Sequence, residues 1–155
     1  MLVVDLVKRW FGLTRRSDMW LVNFVKEREG FRANAYQDSV GVWTIGYGST
    51  HGVKKGDTIS MQNAEKLLQK ELDDFQAYVE RYSVRVGYHW NKQQIEALTS
   101  FVFNLGKGTL NQLTHDGTRT SEVIAAKMKL YYNAGGVRLE GLVKRRKAES
   151  ERFSS

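Results

Sequence analysis

The chain has 155 residues, no cysteine and no proline, with 41% hydrophobic and 26% charged residues and a formal net charge of +7. That length buries a core for one domain, the composition excludes a disordered chain, and the lack of cysteine excludes a disulfide framework. The positive charge attracts polyanions, whether nucleic acid, a membrane surface or a bacterial wall, without choosing among them.

Val3, Leu6, Val7, Trp10 and Leu13 recur at helical spacing. They predict an amphipathic helix in an N-terminal extension over 1–17. Asp5, Lys8 and Arg9 interrupt its apolar run, so it is neither a membrane span nor a cleavable leader. Such a helix packs on its own domain or lies on a membrane surface. The remaining residues, 18–155, form the predicted main domain.

A first helix is predicted over 18–29. Ser17 or Asp18 caps it, Trp20, Leu21, Phe24 and Val25 form its apolar face, and Gly30 stops it. Residues 34–60 then change to strand alternation. Val42, Thr44 and Gly46 face one way and Trp43, Ile45 and Tyr47 the other, with a turn over 38–41. Helical spacing returns at Ser60 and runs to Tyr82, with Met61, Ala64, Leu68, Phe75, Val79 and Tyr82 on one face. Asn91 followed by Gln94 is a capping-box pattern that opens another helix, ended by Gly106. Shorter helices follow near 108–113, 120–133 and 140–153. The sum is an α+β chain, with a small β-hairpin lobe, a mainly helical lobe and a long helix joining them. Clefts form between such lobes.

The stretch EGFRANAYQDSVGVWTIGYG, residues 29–48, holds two carboxylates, Glu29 and Asp38. Glu29 falls at the C-terminal end of its helix, where the macrodipole disfavours an anion. Partial burial beside Phe31 or Tyr36 pushes the same way, toward the protonated form a general acid needs. Asp38 lies in a polar turn with Gln37 and Ser39 and is expected to stay ionised. Thr44 follows across the hairpin, placed to hold a water with Asp38. Gly46 and Gly48 let the backbone approach a bulky sugar. Such a pair suits glycoside hydrolysis, in which one carboxyl protonates the leaving oxygen and the other activates water. An acidic turn without catalysis fits the same spacing.

His51, His89 and His115 are the chain's histidines and show no metal-ligand spacing. Gly46, Gly48 and Gly52 lack the Gly-Lys-Ser or Gly-Lys-Thr of a phosphate loop. Lys144, Arg145, Arg146 and Lys147 offer a site for nucleic acid or anionic lipid, or form the solvated side of a helix whose Leu142, Val143 and Phe153 pack inward. Alternatively, Arg145 or Arg146 reaches the cleft and pairs with a carboxylate.

The string Glu29, Gly30, Arg32, Tyr36, Asp38, Gly41, Thr44, Ile45, Gly46, Tyr47, Gly48 resembles the signature of the phage-type lysozymes, the endolysins of glycoside hydrolase family 24. FVFNLGKGTL at 101–110, and YYNAGG with GLVKRRKAES over 131–150, resemble two further motifs of that family. The resemblance implies a lysozyme-like fold. It also implies muramidase activity on the β-1,4 bond between N-acetylmuramic acid and N-acetylglucosamine of peptidoglycan, without metal or cofactor. Carried over by position, Glu29 is the general acid, and Asp38 and Thr44 complete the catalytic set. Phe103 is expected to line the substrate cleft, with Tyr47 and Ser49 as further substrate contacts. Many relatives carry His directly after the Gly-Tyr-Gly run, where this chain has Ser49. Residues 110–125 also depart from the usual Ser-Thr-Leu-Leu motif. Retention of Asp38 favours hydrolysis over transglycosylation.

The expected partner is bacterial peptidoglycan, with anionic membrane or lipopolysaccharide as a further contact. No nucleic-acid motif is present, and a monomer is expected. The protein is expected in the host cytoplasm and, at lysis, in the periplasm after passage through a holin. A basic membrane-active or wall-binding protein without catalysis is the alternative.

Overall fold

The computed structural model describes residues 19–155. The helix expected over 1–17, and the capping residues Ser17 and Asp18, lie outside them. The chain divides into two compact units, one ending at Asp73 and the other beginning at Asp74.

In the first unit, helix α1 (Met19–Glu29) buries Leu21, Phe24 and Val25. Trp20 stacks on Phe24 with ring centroids 4.8 Å apart. Gly30 ends the helix as expected: it takes φ +69, and its N–H donates to the Lys26 carbonyl at 2.9 Å. Strands β1 (Arg32–Gln37) and β2 (Trp43–Gly46) form an antiparallel hairpin. Tyr36 pairs with Thr44 and Gln37 with Trp43, and the register shifts between Arg32 and Tyr36. The expected alternation along β2 does not appear in its burial. Thr44, Ile45 and Gly46 are all buried, because both faces of the strand are covered. One cover is helix α2 (Met61–Val86): a β-carbon on Gly46 would lie 3.0 Å from Ala64 Cβ. Lys26 of α1 also hydrogen-bonds Glu65 of α2. That bond is the leading cause of the raised Lys26 pKa.

Helix α2 is 26 residues long and runs from the first unit into the second. It outlasts the predicted end at Tyr82 by a turn and stops before Gly87, which takes φ +84. Ala64, Leu68, Leu72, Val79 and Tyr82 are buried along it, whereas Met61, in its first turn, is 54% exposed.

The second unit holds the larger apolar cluster, built on Val79, Tyr82, Leu98, Phe101, Val102, Leu110, Leu113, Ile124, Met128 and Phe153, among others. Helix α3 (Lys92–Leu105) begins with the predicted capping box. Gln94 N–H donates to Asn91 Oδ1, and Asn91 N–H donates to Gln94 Oε1, both at 2.9 Å. Gly106 ends it, its N–H donating to the Val102 carbonyl at 2.8 Å. Helices α4 (Thr109–Thr114) and α5 (Ser121–Met128) follow. The helix expected over 120–133 stops at Met128, and residues 133–138 form a short hairpin instead. Its strands are β3 (Asn133–Ala134) and β4 (Val137–Arg138). Gly135 and Gly136 both take positive φ at its turn, the geometry a two-residue hairpin favours. Helix α6 (Glu140–Ser154) packs on α3 and α5.

Candidate active site

Glu29 is the last residue of α1 and is half-buried. The backbone at Gly48 runs beside its side chain, so close that a β-carbon there would lie 3.1 Å from Glu29 Oε2.

Asp38 organises the turn between β1 and β2. Its Oδ1 accepts from the Val40 N–H at 3.0 Å and from the Val42 N–H at 2.8 Å. Its own N–H donates to the Val42 carbonyl and its carbonyl accepts from Gly41 N–H, each at 3.0 Å. Gln37 Nε2 closes the turn on the Gly41 carbonyl at 3.1 Å. One carboxylate oxygen is thus fixed by two backbone donors, a side-chain-to-backbone pattern that short acidic residues favour in turns.

Thr44 is 4% exposed, and its Oγ1 donates to the Val42 carbonyl at 3.0 Å. Its single hydroxyl proton is therefore spent, and what the oxygen has left is acceptor capacity. Asp38 and Thr44 are the sequence-predicted pair that the hairpin brings together, and both belong to the unit that carries Glu29.

The expected substrate contacts sit differently. Tyr47 is 4% exposed, packs on Phe31 with centroids 5.5 Å apart, and has Lys26 Nζ 5.4 Å from its ring centre. Ser49 is 3% exposed and donates from Oγ to Glu71 Oε2 at 2.9 Å. Both side chains are engaged with the protein itself. Phe103 lies in the second unit, half-buried and edge-on to Phe75 at 5.4 Å. Gly46 and Gly48, expected to admit a sugar, instead admit Ala64 and Glu29 respectively.

The cationic run on α6 also needs correction. Lys144 and Lys147 are exposed, but Arg145 and Arg146 are 4% and 0% exposed. Both meet a carboxylate, that of the fully buried Glu149. Arg145 Nε lies 3.2 Å from its Oε1 and Arg146 Nε 2.9 Å from its Oε2. Ser100 Oγ donates to Glu149 Oε1 at 2.6 Å, and Arg146 Nη2 donates to Asn104 Oδ1 at 2.8 Å. Burial pushes the Glu149 carboxyl up, against the pull of the two guanidiniums and the Ser100 hydroxyl. The i+3 and i+4 spacing from Arg146 and Arg145 to Glu149 was visible in the sequence; the cover from α3 was not.

No group of three or more His, Asp or Glu side chains able to hold a metal ion occurs among the described residues. His51, His89 and His115 are exposed.

The acidic stretch, the turn and the hairpin all lie inside a segment that matches a known family. Residues 26–149 match the family described as phage lysozyme. The chain belongs to the phage lysozyme family. Phage lysozymes are hydrolases of peptidoglycan, and this chain is one by membership. An endolysin of Acyrthosiphon pisum secondary endosymbiont phage 1 is 32% identical over 140 residues, covering 84% of this chain and 92% of that one. An endolysin of Bacillus phage B103 is 33% identical over 138 residues; the match covers 85% of this chain and 51% of the longer relative. Among solved structures, the muramidase domain of SpmX from Asticaccaulis excentricus superposes with a TM-score of 0.76 at 27% identity. That match covers 89% of this chain and 97% of that domain. No described helix of this phage lysozyme is long and apolar enough to cross a membrane.

Proposed function

We propose that this phage lysozyme is a muramidase. It hydrolyses the β-1,4 bond between N-acetylmuramic acid and N-acetylglucosamine, with Glu29 as acid and Asp38 and Thr44 as holders of the water. The observation that carries the reading is the joint attachment of Asp38 and Thr44 to Val42. It keeps an anionic acceptor and a neutral acceptor at one turn of the hairpin. A water between them points its two protons at Asp38 and Thr44 and turns a lone pair outward to the anomeric carbon. As that carbon–oxygen bond forms, the glycosidic bond breaks. Glu29 gives its proton to the leaving oxygen, and Asp38 takes one from the water.

Phe103 is proposed as an apolar contact for the sugar. The positive charge concentrates the enzyme on the anionic wall. The site of action proposed is the wall of the host cell at lysis, reached through a holin.

The test is clearing of purified, outer-membrane-stripped Gram-negative walls by wild type beside Glu29→Gln, with mass spectrometry of the fragments. Clearing by wild type alone, leaving reducing N-acetylmuramic acid ends, is the expected result. Clearing by both proteins, or anhydro ends, would contradict the reading. No clearing by either protein would favour a wall-binding or membrane-active protein.

A further inference from the structure

Glycine at position 48 is explained by its neighbour as well as by its backbone. It takes φ +86, a region side chains rarely occupy. The three nearest atoms to a β-carbon built there all belong to Glu29: Oε2 at 3.1 Å, Cδ at 3.4 Å and Cγ at 3.6 Å. The first lies well inside an ordinary contact of about 3.5 Å. Gly52, in the same unit, takes φ +70 and would meet nothing within 4 Å. Among the described glycines, Gly48 alone has Glu29 in that space.

We propose that Gly48 is a positioning residue for catalysis: the space its absent side chain leaves is the seat of the Glu29 carboxyl. The inference rests on the muramidase reading, in which Glu29 delivers the proton. A β-carbon at 48 displaces the carboxyl by a few tenths of an ångström or turns it about its side-chain bonds. Proton transfer is sensitive to such shifts, and a misplacement of about 1 Å costs on the order of a hundredfold. Substrate binding draws on contacts elsewhere along the sugar chain, so the loss falls on kcat rather than on KM.

The experiment compares Gly48→Ala with Gly52→Ala on solubilised peptidoglycan strands and measures melting temperatures in a double-mutant cycle with Glu29→Ala. Both substitutions place alanine at a positive φ, so Gly52→Ala isolates the backbone cost. Gly48→Ala is expected to lower kcat by about tenfold or more with KM within about twofold, while Gly52→Ala keeps both. Gly48→Ala is also expected to lower the melting temperature by a few degrees (roughly 2 to 4) more beside Glu29 than beside Ala at 29. If Gly48→Ala does not fold alone, recovery of folding in the Glu29→Ala background supports the contact equally. A kcat equal to that of Gly52→Ala, or the same melting loss in both backgrounds, would overturn the proposal. The cycle needs no substrate. An inactive wild type would count against the muramidase reading, whereas an absent thermal coupling would count against the Gly48 contact itself.

Discussion

Asp38 and Thr44 are tied through a single residue. Val42 donates its N–H to Asp38 Oδ1 at 2.8 Å and accepts the Thr44 hydroxyl at its carbonyl at 3.0 Å. A shift of either side chain is felt by the other through the two peptide units that meet at the Val42 Cα. The arrangement uses up the Thr44 proton, so the hydroxyl acts as an acceptor toward anything else it meets.

Asp38→Asn separates the chemistry of this turn from its structure. Asparagine keeps an oxygen for the Val40 and Val42 donors, so the turn persists. The proposed base is lost, and kcat is expected to fall by about 10² to 10⁴-fold with little change in melting temperature. Thr44→Val removes the hydroxyl at nearly constant volume and is expected to cost less, roughly tenfold to a hundredfold. Steady-state kinetics and thermal melts on the same preparations check both.

Ser49→Ala distinguishes a packing residue from a substrate contact. The hydroxyl serves Glu71 at 2.9 Å from a buried position. Its removal is expected to lower stability by about 1.5 kcal/mol, the usual worth of a hydrogen bond to a charged group. KM should not move. A raised KM with unchanged stability in denaturant titrations would restore Ser49 as a substrate contact.

Glu149→Gln leaves the guanidiniums of Arg145 and Arg146 buried with their common carboxylate neutralised. Breaking one partner of a buried ion cluster costs about 3 to 5 kcal/mol. Urea unfolding of the variant should show a loss of that order. A loss below about 1 kcal/mol would indicate that water reaches the guanidiniums in the variant.

Tyr88 sets an alkaline limit. Burial is the leading cause of a phenol pKa raised above its ordinary 10.0, and its hydroxyl donates to the Arg119 carbonyl at 2.8 Å. The folded protein holds this proton more tightly than the unfolded chain. The contribution to stability is therefore full below pH 10 and is lost as pH rises through the folded value. Tyr88→Phe should be less stable than wild type at neutral pH by about 1 kcal/mol. The gap should close above pH 10, as followed by melting temperature against pH.

Much of the fold was legible because its signals are local. Gly30, the Asn91–Gln94 box and Gly106 end or begin helices through atoms within four residues of themselves. Glu29, Asp38 and Thr44, the proposed catalytic trio, were singled out in the sequence by their likeness to a family pattern, and the turn that holds Asp38 was legible as a cluster of turn-forming residues. What escaped depends on distant chain. Arg145 and Arg146 look like surface charge until Ser100 and Asn104, more than 40 residues away, are brought over them. The packing of Tyr47 on Phe31 and the hydrogen bond from Ser49 to Glu71 were likewise not legible. Gly46 and Gly48 announce a close approach, but the sequence does not say to what. The β3–β4 hairpin had its signal in Gly135–Gly136, which was outweighed by the helical periodicity before it.

The most direct test of the central claim follows the water. Peptidoglycan is digested in ¹⁸O-labelled water, reduced with borohydride at each time point, and the new chain ends are analysed by mass spectrometry. The account predicts a heavy oxygen at C1 of each new N-acetylmuramic acid end, at a rate that collapses in Asp38→Asn and Glu29→Gln. New ends without that oxygen, or labelling undiminished in both variants, would contradict a water held at Asp38 and Thr44 and a proton given by Glu29.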